Sequence, residues 1–445
     1  MNSDFAVVGG GPGGYVAAIR AAQRGRDTVL VEREAVGGVC LNHGCIPSKA
    51  LVAAAERMDD ARTAGRMGIE ADPELDFATL GRFVDGTVTR LTRGVEQLLD
   101  TNGAEVLAGT ASFTDSGSLA VPEAEVEIDA DRVVLATGSR PIELPGFDFS
   151  SDPILSSRDL FALDSLPGRL VVVGAGYVGM ELATALAKLG VDVTVLEAES
   201  EALPGFPNDL AVPARKGAEA AGVEFAFEAA ATGWNEVENG VEVRAETSDD
   251  DLTYSADAVL VAVGRTPVTD TIARERIGLG TDERGFFDTV GVEGVVAVGD
   301  CAGPPMLAHK AMREGELAAE GEEGALGPVP EVVFTDPEIA RVGNTDSEGA
   351  LVGECPFRAN GRALAGNDRE GFVRVVADAG TRRVRGASVV GPEATELVAE
   401  LGLAVSMGAT LDDVAATVHA HPTLAEAVRE AALAADGRAV HTANR

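Results

Sequence analysis

The sequence predicts an α/β fold with two Rossmann-like units followed by a C-terminal α+β domain. Residues 4–32, DFAVVGGGPGGYVAAIRAAQRGRDTVLVE, have the pattern of an apolar strand, a glycine turn, an alanine-rich helix and a second apolar strand. Residues 170–197, LVVVGAGYVGMELATALAKLGVDVTVLE, repeat that pattern. After GALGPVPE at 324–331, the strand patterns FVRVVAD and VRGASVVG precede two long helical patterns, which favours a third domain.

Shorter apolar runs that end in glycine, such as RVVLATGSRP and GVVAVGDCAG, are expected to return to the two sheets. Proline and glycine interrupt the pattern near Pro145, near Pro267 and in the segment 324–331. We therefore divide the chain into four stretches, which are 1–145, 146–266, 267–326 and 327–445. The third stretch is expected to complete the domain that the first begins.

The first glycine turn has the spacing of a dinucleotide-binding fingerprint. Gly9, Gly11 and Gly14 form G-x-G-x-x-G between strand and helix, and Glu32 ends the next strand. These glycines permit a tight turn, close approach of backbone to a pyrophosphate and close helix packing, while the acid can bind a ribose hydroxyl. Because the whole unit is in register, we interpret it as a binding site and not only as a structural turn.

The second unit repeats the fingerprint with Gly174, Gly176 and Gly179, and Glu197 stands at the corresponding strand end. Two such units in one chain indicate two bound dinucleotides. The residues after Glu197 are AESE, which offer no cation to a 2′-phosphate and would repel one. The second ligand is therefore predicted to be NAD, not NADP.

The composition is strongly acidic throughout the chain. There are 72 acidic and 36 basic residues, a formal charge of -36, and only four of the basic residues are lysine. This charge excludes an ordinary basic binder of nucleic acid and argues against anionic membranes, and it is typical of a solvated surface adapted to high salt. No apolar run approaches the roughly 18 residues of a membrane span, and the start, MNSDFAVVGGG, is unlike a secretory signal, so a cytoplasmic protein is expected.

Two cysteines lie close together in GGVCLNHGCIPSK, residues 37–49. The close spacing of Cys40 and Cys45 is compatible with a structural disulfide, with half of a metal site or with a redox-active pair. A metal site needs further ligands, but Cys301 and Cys355 are isolated, and structural disulfides are unusual in the cytosol. Beside two dinucleotide sites, we interpret the pair as a redox dithiol without a metal. The helical run after Cys45 is expected to lower the pKa of that thiol.

A dithiol that exchanges electrons needs a proton carrier, and the chain has five histidines. His421 lies in HAHPTLAEA, and Glu426 follows five residues later, where its carboxylate can orient the imidazole. A His-Pro turn before a helix is more often structural when it stands alone. The need for a base makes His421 the predicted one.

Several motifs together resemble one family. GGVCLNHGCIPSK, GAGYVGMELA, MLAHKA, FTDPEIARVG and HAHPTLAEA occur in the order found in the dihydrolipoamide dehydrogenase family, among the class I flavin-dependent pyridine nucleotide-disulfide oxidoreductases. The resemblance runs nearly end to end. It implies FAD in the first unit, NAD in the second, and a homodimer formed by the C-terminal domain, which becomes a dimerisation domain. The acidic composition adds the expectation of a halophilic archaeal source.

The resemblance also implies residue roles. Cys40 is the thiol that exchanges with substrate, Cys45 lies next to the flavin, and His421, held by Glu426, acts on the partner subunit's dithiol. Lys49 pairs with Glu181 beside the flavin ring. The remaining cofactor-binding residues are Gly9, Gly11, Gly14, Glu32, Thr137, Gly138 and Asp300 for FAD, and Gly174, Gly176, Tyr177, Gly179 and Glu197 for NAD.

The expected reaction is oxidation of dihydrolipoamide to lipoamide with NAD, alone or within a 2-oxoacid dehydrogenase or glycine-cleavage complex. Pro12 and Ile19 stand where glutathione reductase-like chains carry a serine and an arginine for a charged tripeptide, and the chain ends in HTANR without the cysteine pair of mercuric reductases. His43 between the thiols and the short chain keep a second hypothesis open, reduction of bis-γ-glutamylcystine with NAD(P)H. A non-catalytic flavoprotein is a third, disfavoured because both cysteines, His421 and Glu426 are present.

Overall fold

The computed structural model describes residues 1–248, 250–322 and 326–443. Its helices and strands fall in four successive stretches. The first contains β1 (Asn2–Val8), α1 (Pro12–Gln23), β2 (Thr28–Glu32), α2 (Gly38–His43), α3 (Cys45–Thr63), α4 (Phe77–Asn102), β3 (Ala104–Ala108), β4 (Ser112–Phe113), β5 (Leu119–Val121), β6 (Val126–Leu135) and β7 (Ser139–Pro141).

The second stretch contains β8 (Ile154–Leu155), α5 (Ser157–Phe161), β9 (Arg169–Val173), α6 (Tyr177–Lys188), β10 (Asp192–Leu196), α7 (Asn208–Ala220), β11 (Glu224–Ala226), β12 (Ala230–Val237), β13 (Gly240–Glu246), β14 (Asp251–Ala256) and β15 (Ala258–Val261). The third contains β16 (Arg265–Pro267), β17 (Gly280–Thr281), β18 (Phe287–Asp288), β19 (Val295–Ala297) and α8 (Ala308–Glu320). The fourth contains β20 (Glu331–Val333), β21 (Glu338–Gly343), β22 (Ala350–Pro356), α9 (Gly361–Gly366), β23 (Phe372–Asp378), β24 (Val384–Gly391), α10 (Ala394–Met407), α11 (Leu411–Ala416) and α12 (Glu426–Ala435).

The first sheet joins the first and third stretches. Strands β3, β2, β1 and β6 lie side by side in parallel, and β19 pairs in parallel with β6. Phe5, Val7 and Leu30 are fully buried within this parallel layer, as expected for strands covered on both faces. Because β19 returns to the sheet, the pairing supports a single domain made of 1–145 and 267–326, and those boundaries stay a prediction.

The second sheet is parallel, with the order β11-β10-β9-β15-β8. Its central strand β9 leads through the second glycine turn into α6, so the turn lies at the carboxyl end of the strands. Ligands of parallel α/β sheets bind at this edge. A three-stranded antiparallel sheet, β12-β13-β14, follows in the same stretch. The predicted α/β class and both strand–turn–helix–strand units are confirmed.

The C-terminal stretch is α+β, also as predicted. Its antiparallel sheet has the order β20-β21-β24-β23-β22, with α10 packed on β21 and β24 and α12 packed on β22 and β23. The expectation of two helices after β24 was incomplete, because α11 lies between them. Only six residues long, α11 is too short for a helical periodicity to stand out, and it begins at a capping box in which Asp413 accepts from the Thr410 amide at 2.8 Å.

The 26-residue helix α4 is long enough to cross a bilayer, but charged residues interrupt it along its length. In the three described ranges, no helix combines the length and apolarity that a membrane crossing requires.

Candidate active site

The two cysteines lie at the junction of α2 and α3. Cys40 is in the middle of α2 and half-buried, whereas Cys45 is exposed and is the first residue of α3, after Gly44. Both are free thiols in this structure. The expected helix after Cys45 is confirmed and already includes Cys45, so the thiol lies at the helix N-terminus, where unpaired backbone amides favour negative charge.

The pKa values of the two thiols move in opposite directions. Interaction with the Cys40 thiol is the main cause that lowers the pKa of Cys45 to about 7; the Lys49 cation also lowers it, whereas partial loss of water around the sulfur raises it. The same interaction is the main reason why the pKa of Cys40 is raised, and burial adds to it. These directions favour the thiolate at Cys45 and the protonated thiol at Cys40.

Lys49 lies one turn after Cys45 on α3 and pairs with Glu181 of α6. Its Nζ is 2.6 Å from Oε2 of Glu181, which is buried, and the ammonium stands 4.3 Å from the centre of the Phe334 ring. The other oxygen of Glu181 accepts from the Phe334 backbone N–H at 2.9 Å. The predicted Lys49–Glu181 pair is thus formed, and it joins the dithiol helix to the second nucleotide-binding unit.

The first glycine turn requires glycine at two positions for protein packing. Gly9 has φ +103°, and a Cβ at Gly14 would lie 1.8 Å from the Gly9 carbonyl oxygen. Glu32 holds the turn, because its Oε2 accepts from the Gly10 N–H at 2.5 Å and its Oε1 from the Glu34 N–H at 2.7 Å. A carboxylate has further lone pairs, so these bonds leave acceptor capacity for a ribose hydroxyl.

The second turn repeats this geometry and shows where a ligand fits. Gly174 has φ +101°, and a Cβ at Gly179 would lie 2.0 Å from its carbonyl oxygen. Glu197 is buried and accepts from the Ala175 N–H at 2.7 Å. At Gly176, by contrast, a Cβ would meet no protein atom within 4 Å. Protein packing therefore gives no reason for glycine there, whereas close approach of a pyrophosphate does.

The ATG segment and Asp300 come together although 161 residues separate Ser139 from Asp300. Ser139 Oγ donates to Asp300 Oδ2 at 2.5 Å and accepts from Arg265 Nε at 2.7 Å. Thr137 Oγ1 donates to the Val268 carbonyl at 2.5 Å. At Gly138, with φ +73°, a Cβ would meet nothing within 4 Å. These residues form an open polar edge of the first unit, which suits the FAD site predicted for Thr137, Gly138 and Asp300.

Tyr177, the first residue of α6, lies where the two units meet. Loss of water around its hydroxyl raises the pKa of Tyr177, and the negative charges of Asp300 and Glu181 act in the same direction. The negative charge of Cys45 also raises the pKa of Tyr177. The side chain predicted to cover the nicotinamide is thus within electrostatic range of the dithiol and of the first unit.

The predicted base is formed in the C-terminal stretch. His421 Nδ1 lies 3.0 Å from Glu426 Oε1, and the other carboxylate oxygen accepts from the Thr423 N–H at 2.9 Å. The Thr423 amide is the main cause, and His421 the second, of a lowered pKa for Glu426. The His421 side chain is 80% exposed. Among the described residues, its ring bonds Glu426 and neither cysteine of the same chain.

Several residues that support the site were not predicted. These are Phe334, Ser139, Arg265 and the pair Lys310–Glu314. Lys310 is buried and lies 2.8 Å from Glu314, whose other oxygen accepts from the Gly299 N–H at 2.7 Å, next to Asp300. Because the chain has only four lysines, the presence of a lysine at 310, as at 49, could have indicated a specific role for that residue.

The two other cysteines are buried, as expected of small apolar side chains. In the part of the chain that the structure describes, no group of three or more potential ligand side chains is placed to hold a metal ion.

The fold and the site define a disulfide oxidoreductase with two nucleotide-binding domains, a dithiol at a helix N-terminus and a separate histidine–glutamate pair. Comparisons with known proteins agree. The family model for pyridine nucleotide-disulphide oxidoreductases matches residues 3–315, and the model for the dimerisation domain of the same family matches 329–432. The chain belongs to this family, and it is an enzyme that uses FAD and NAD.

Individual relatives extend along the whole chain. Dihydrolipoyl dehydrogenase 2 of Haloarcula marismortui is 53% identical, covering 99% of this chain and 98% of that protein. Dihydrolipoyl dehydrogenase of Geobacillus stearothermophilus is 43% identical with the same coverage. Among solved structures, LpdA from Mycobacterium tuberculosis is similar with a TM-score of 0.90 and 30% identity, over 96% of this chain and 99% of that one. The resemblance drawn from the motifs is confirmed.

Proposed function

We propose that this chain oxidises dihydrolipoamide to lipoamide with NAD as electron acceptor, through FAD and the Cys40–Cys45 dithiol. The observation that supports this most directly is the position of Cys45 as the first residue of α3, next to Cys40 on α2 and one turn before Lys49, where the pKa of Cys45 is lowered to about 7. The two sulfurs therefore have different roles in exchange. The relatives at 50–53% identity are named dihydrolipoyl dehydrogenases, which favours this substrate over bis-γ-glutamylcystine.

In the proposed exchange, His421 of one subunit takes the proton from a dihydrolipoamide thiol, and the resulting thiolate attacks Cys40 of the oxidised pair. The Cys40–Cys45 bond breaks and Cys45 leaves as a thiolate, which its low pKa makes the better leaving group. The second substrate thiol then attacks the mixed disulfide, and its proton passes to Cys40 as that sulfur departs and lipoamide is released. The proton taken by His421 is then lost to solvent.

FAD, when bound, supplies the route by which two electrons of the reduced dithiol reach NAD as hydride. The chain's own contribution is to hold the cofactors and the Cys45 charge. Lys49, fixed by Glu181, places a cation beside the Cys45 thiolate. We assign FAD to Gly9, Gly11, Gly14, Glu32, Thr137, Gly138 and Asp300, and NAD to Gly174, Gly176, Tyr177, Gly179 and Glu197.

We also infer a homodimer, which the match to a dimerisation domain supports. Because His421 is exposed and bonds neither cysteine of its own chain, a partner subunit is needed to complete the site. We also propose that the domain boundaries follow residues 145, 266 and 326. Association with a 2-oxoacid dehydrogenase or glycine-cleavage complex and a cytoplasmic location are further expectations.

The test is a steady-state comparison of the purified protein in molar KCl. Dihydrolipoamide with NAD is compared with bis-γ-glutamylcystine in the presence of NADH or NADPH. We expect fast turnover only in the first assay. Fast reduction of bis-γ-glutamylcystine with little dihydrolipoamide oxidation would reverse the substrate assignment, and no turnover in either assay would contradict the enzymatic proposal.

A further inference from the structure

The segment that carries His421 is held in place by side chains. It lies between α11 and α12, and among the described residues 418–422 take part in no backbone–backbone hydrogen bond. Backbone without such bonds opens easily unless side chains anchor it. The position of the proposed base therefore depends on the anchors before and after it.

One anchor lies before His421. The His419 side chain is only 6% exposed, and its Nδ1 lies 3.1 Å from the Thr417 carbonyl oxygen. Its Nε2 lies 2.9 Å and 3.1 Å from the two carboxylate oxygens of Glu400 on α10. These contacts fix the chain as far as residue 419, so the residues that follow His421 need an anchor of their own.

The second anchor is Asn360, the N-cap residue of α9, which is 5% exposed. Its Oδ1 accepts from the backbone N–H groups of Arg362 and Ala363, each at 3.0 Å, and its Nδ2 donates to the Thr423 carbonyl at 3.0 Å. Two donors face the first atom and an acceptor faces the second, so this orientation of the side-chain amide satisfies all three contacts. One buried side chain thus joins the start of α9 to a residue 63 positions later.

Thr423 connects this anchor to the proposed base. Its backbone N–H donates to Glu426 Oε2 at 2.9 Å, and Glu426 Oε1 lies 3.0 Å from His421 Nδ1. The Thr423 hydroxyl donates to the Ala420 carbonyl at 2.7 Å, so the same residue closes the turn around His421. Because the His421 ring is 80% exposed and bonds Glu426, its direction depends on that carboxylate, which in turn is held by the Thr423 amide.

Helix capping alone does not account for an asparagine at position 360. The cap uses only Oδ1, and aspartate or serine caps a helix about as well. The side-chain NH2 group is buried, where a polar group without a partner is costly, and the Thr423 carbonyl is the partner it has. Of the residues that cap well, asparagine is the one that accepts and donates through two separate atoms.

We propose that Asn360 is a positioning residue for the His421–Glu426 pair, acting through its hydrogen bond to the Thr423 carbonyl. This inference rests on the proposed role of His421 as base. With the Thr423 peptide held, its N–H faces Glu426, and the carboxylate keeps the imidazole aligned for proton transfer. Without the amide of Asn360 that peptide would be free to rotate, and the base would be present but misaligned.

The experiment compares N360D and N360S with the wild-type holoenzyme, with N367D as the matched control. Both variants at 360 keep an oxygen that caps α9, but neither has the amide that donates to Thr423. Asn367 is exposed at the opposite end of α9, so N367D adds the same charge to the same helix. We expect kcat for dihydrolipoamide oxidation to fall by about five- to fiftyfold in N360D and N360S, less than the loss of a whole general base, and to change by less than about twofold in N367D.

Two readouts separate positioning from general damage. Electron transfer from NADH to ferricyanide involves no thiol substrate and needs no base, so its rate should be unchanged in N360D. In a double-mutant cycle, N360D should cause less than about a twofold further loss when added to E426A, because both changes act on the same chain of contacts. Equal losses in the two assays, additive losses in the cycle, or a wild-type kcat in both variants at 360 would overturn the proposal.

A third measurement does not depend on turnover. The Thr423 N–H is bonded to Glu426, so its exchange with deuterium, followed by mass spectrometry of fragments, reports whether that peptide is held. We expect exchange to be about two- to tenfold faster in N360D, the change that one hydrogen bond supplies, and unchanged in N367D. Unchanged exchange in N360D would reject the role of Asn360 alone, whereas failure of the wild-type protein to oxidise dihydrolipoamide would reject the proposed function.

Discussion

Lys49 Nζ lies 2.6 Å from Glu181 Oε2, across 132 residues of sequence, and this contact joins the helix that begins at the redox cysteine to the first helix of the second nucleotide-binding unit. Glu181 is 5% exposed and has two partners, the Lys49 ammonium and the Phe334 backbone amide. The pair therefore serves both the stability of the junction and the charge balance beside Cys45.

Loss of the cation should destabilise the protein. In K49M the buried Glu181 carboxylate loses its ion pair, and we expect the free energy of unfolding to fall by about 1–3 kcal/mol. Thermal or denaturant unfolding in molar KCl measures this. K216M is the matched control, because Lys216 is exposed on α7. Similar Tm values for K49M and K216M would contradict the prediction, and K49M/E181L should regain part of the loss because no charge is left buried.

The Cys40 hydrogen bond should be required for the low pKa of Cys45. In reduced C40A that bond is lost, so the pKa of Cys45 should rise from about 7 towards the ordinary value of 9.0. The pH dependence of iodoacetamide alkylation at Cys45 reports it, since Cys301 and Cys355 are buried. In C40S, which keeps a hydroxyl donor, the pKa of Cys45 should lie between its values in the wild-type protein and in C40A. An unchanged alkylation profile in C40A would reject the assignment of donor and acceptor.

The same depressed pKa has a consequence for stability. Because the pKa of Cys45 is lower in the folded reduced protein than in the unfolded chain, its contribution to stability should be complete above about pH 9 and lost as the pH falls through about 7. Denaturant unfolding of the reduced protein at several pH values between about 7 and 9 measures this contribution, because above that range the raised pKa of Cys40 acts in the opposite direction. In C40A the pH dependence should largely disappear, since the pKa of Cys45 would then be close to its value in the unfolded chain.

Glycine substitutions in the second turn should separate ligand binding from folding. G176A introduces a Cβ that meets no protein atom within 4 Å, so Tm should not change, but the methyl group would stand where we place the pyrophosphate. We expect the KM for NAD to rise by about tenfold or more. G179A is the contrast, because its Cβ would lie 2.0 Å from the Gly174 carbonyl oxygen and should lower Tm. A normal KM in G176A would remove Gly176 from the NAD site.

Salt should stabilise the protein. With a formal charge of -36, repulsion between carboxylates opposes the folded state, and the Debye length falls from about 10 Å at 0.1 M to about 3 Å at 1 M salt. We expect Tm to rise steadily between 0.1 and about 2 M KCl. Constant Tm over that range would argue against adaptation of the surface to high salt.

The features that could be predicted are local in sequence. Each glycine turn, its strand and its acid occupy about thirty consecutive residues, and periodicity within such a stretch is enough to identify strand, turn and helix. The dithiol and the His421–Glu426 pair are also short-range, because the spacing of each pair lies within one or two helical turns. Hence local pattern alone predicts the fold class, which the structure confirms, and it is enough to propose the dinucleotide sites and the reacting groups.

Contacts between distant segments were decided by the packing of sheets and helices. Nothing in the neighbourhood of Phe334 indicates that its amide bonds Glu181, and Ser139 meets Asp300 only because β6 and β19 are adjacent strands. The bond from Asn360 to Thr423 likewise depends on how α12 lies on its sheet. Local pattern records which face of an element is apolar, whereas partners across the chain follow from three-dimensional packing, which no single stretch of sequence contains.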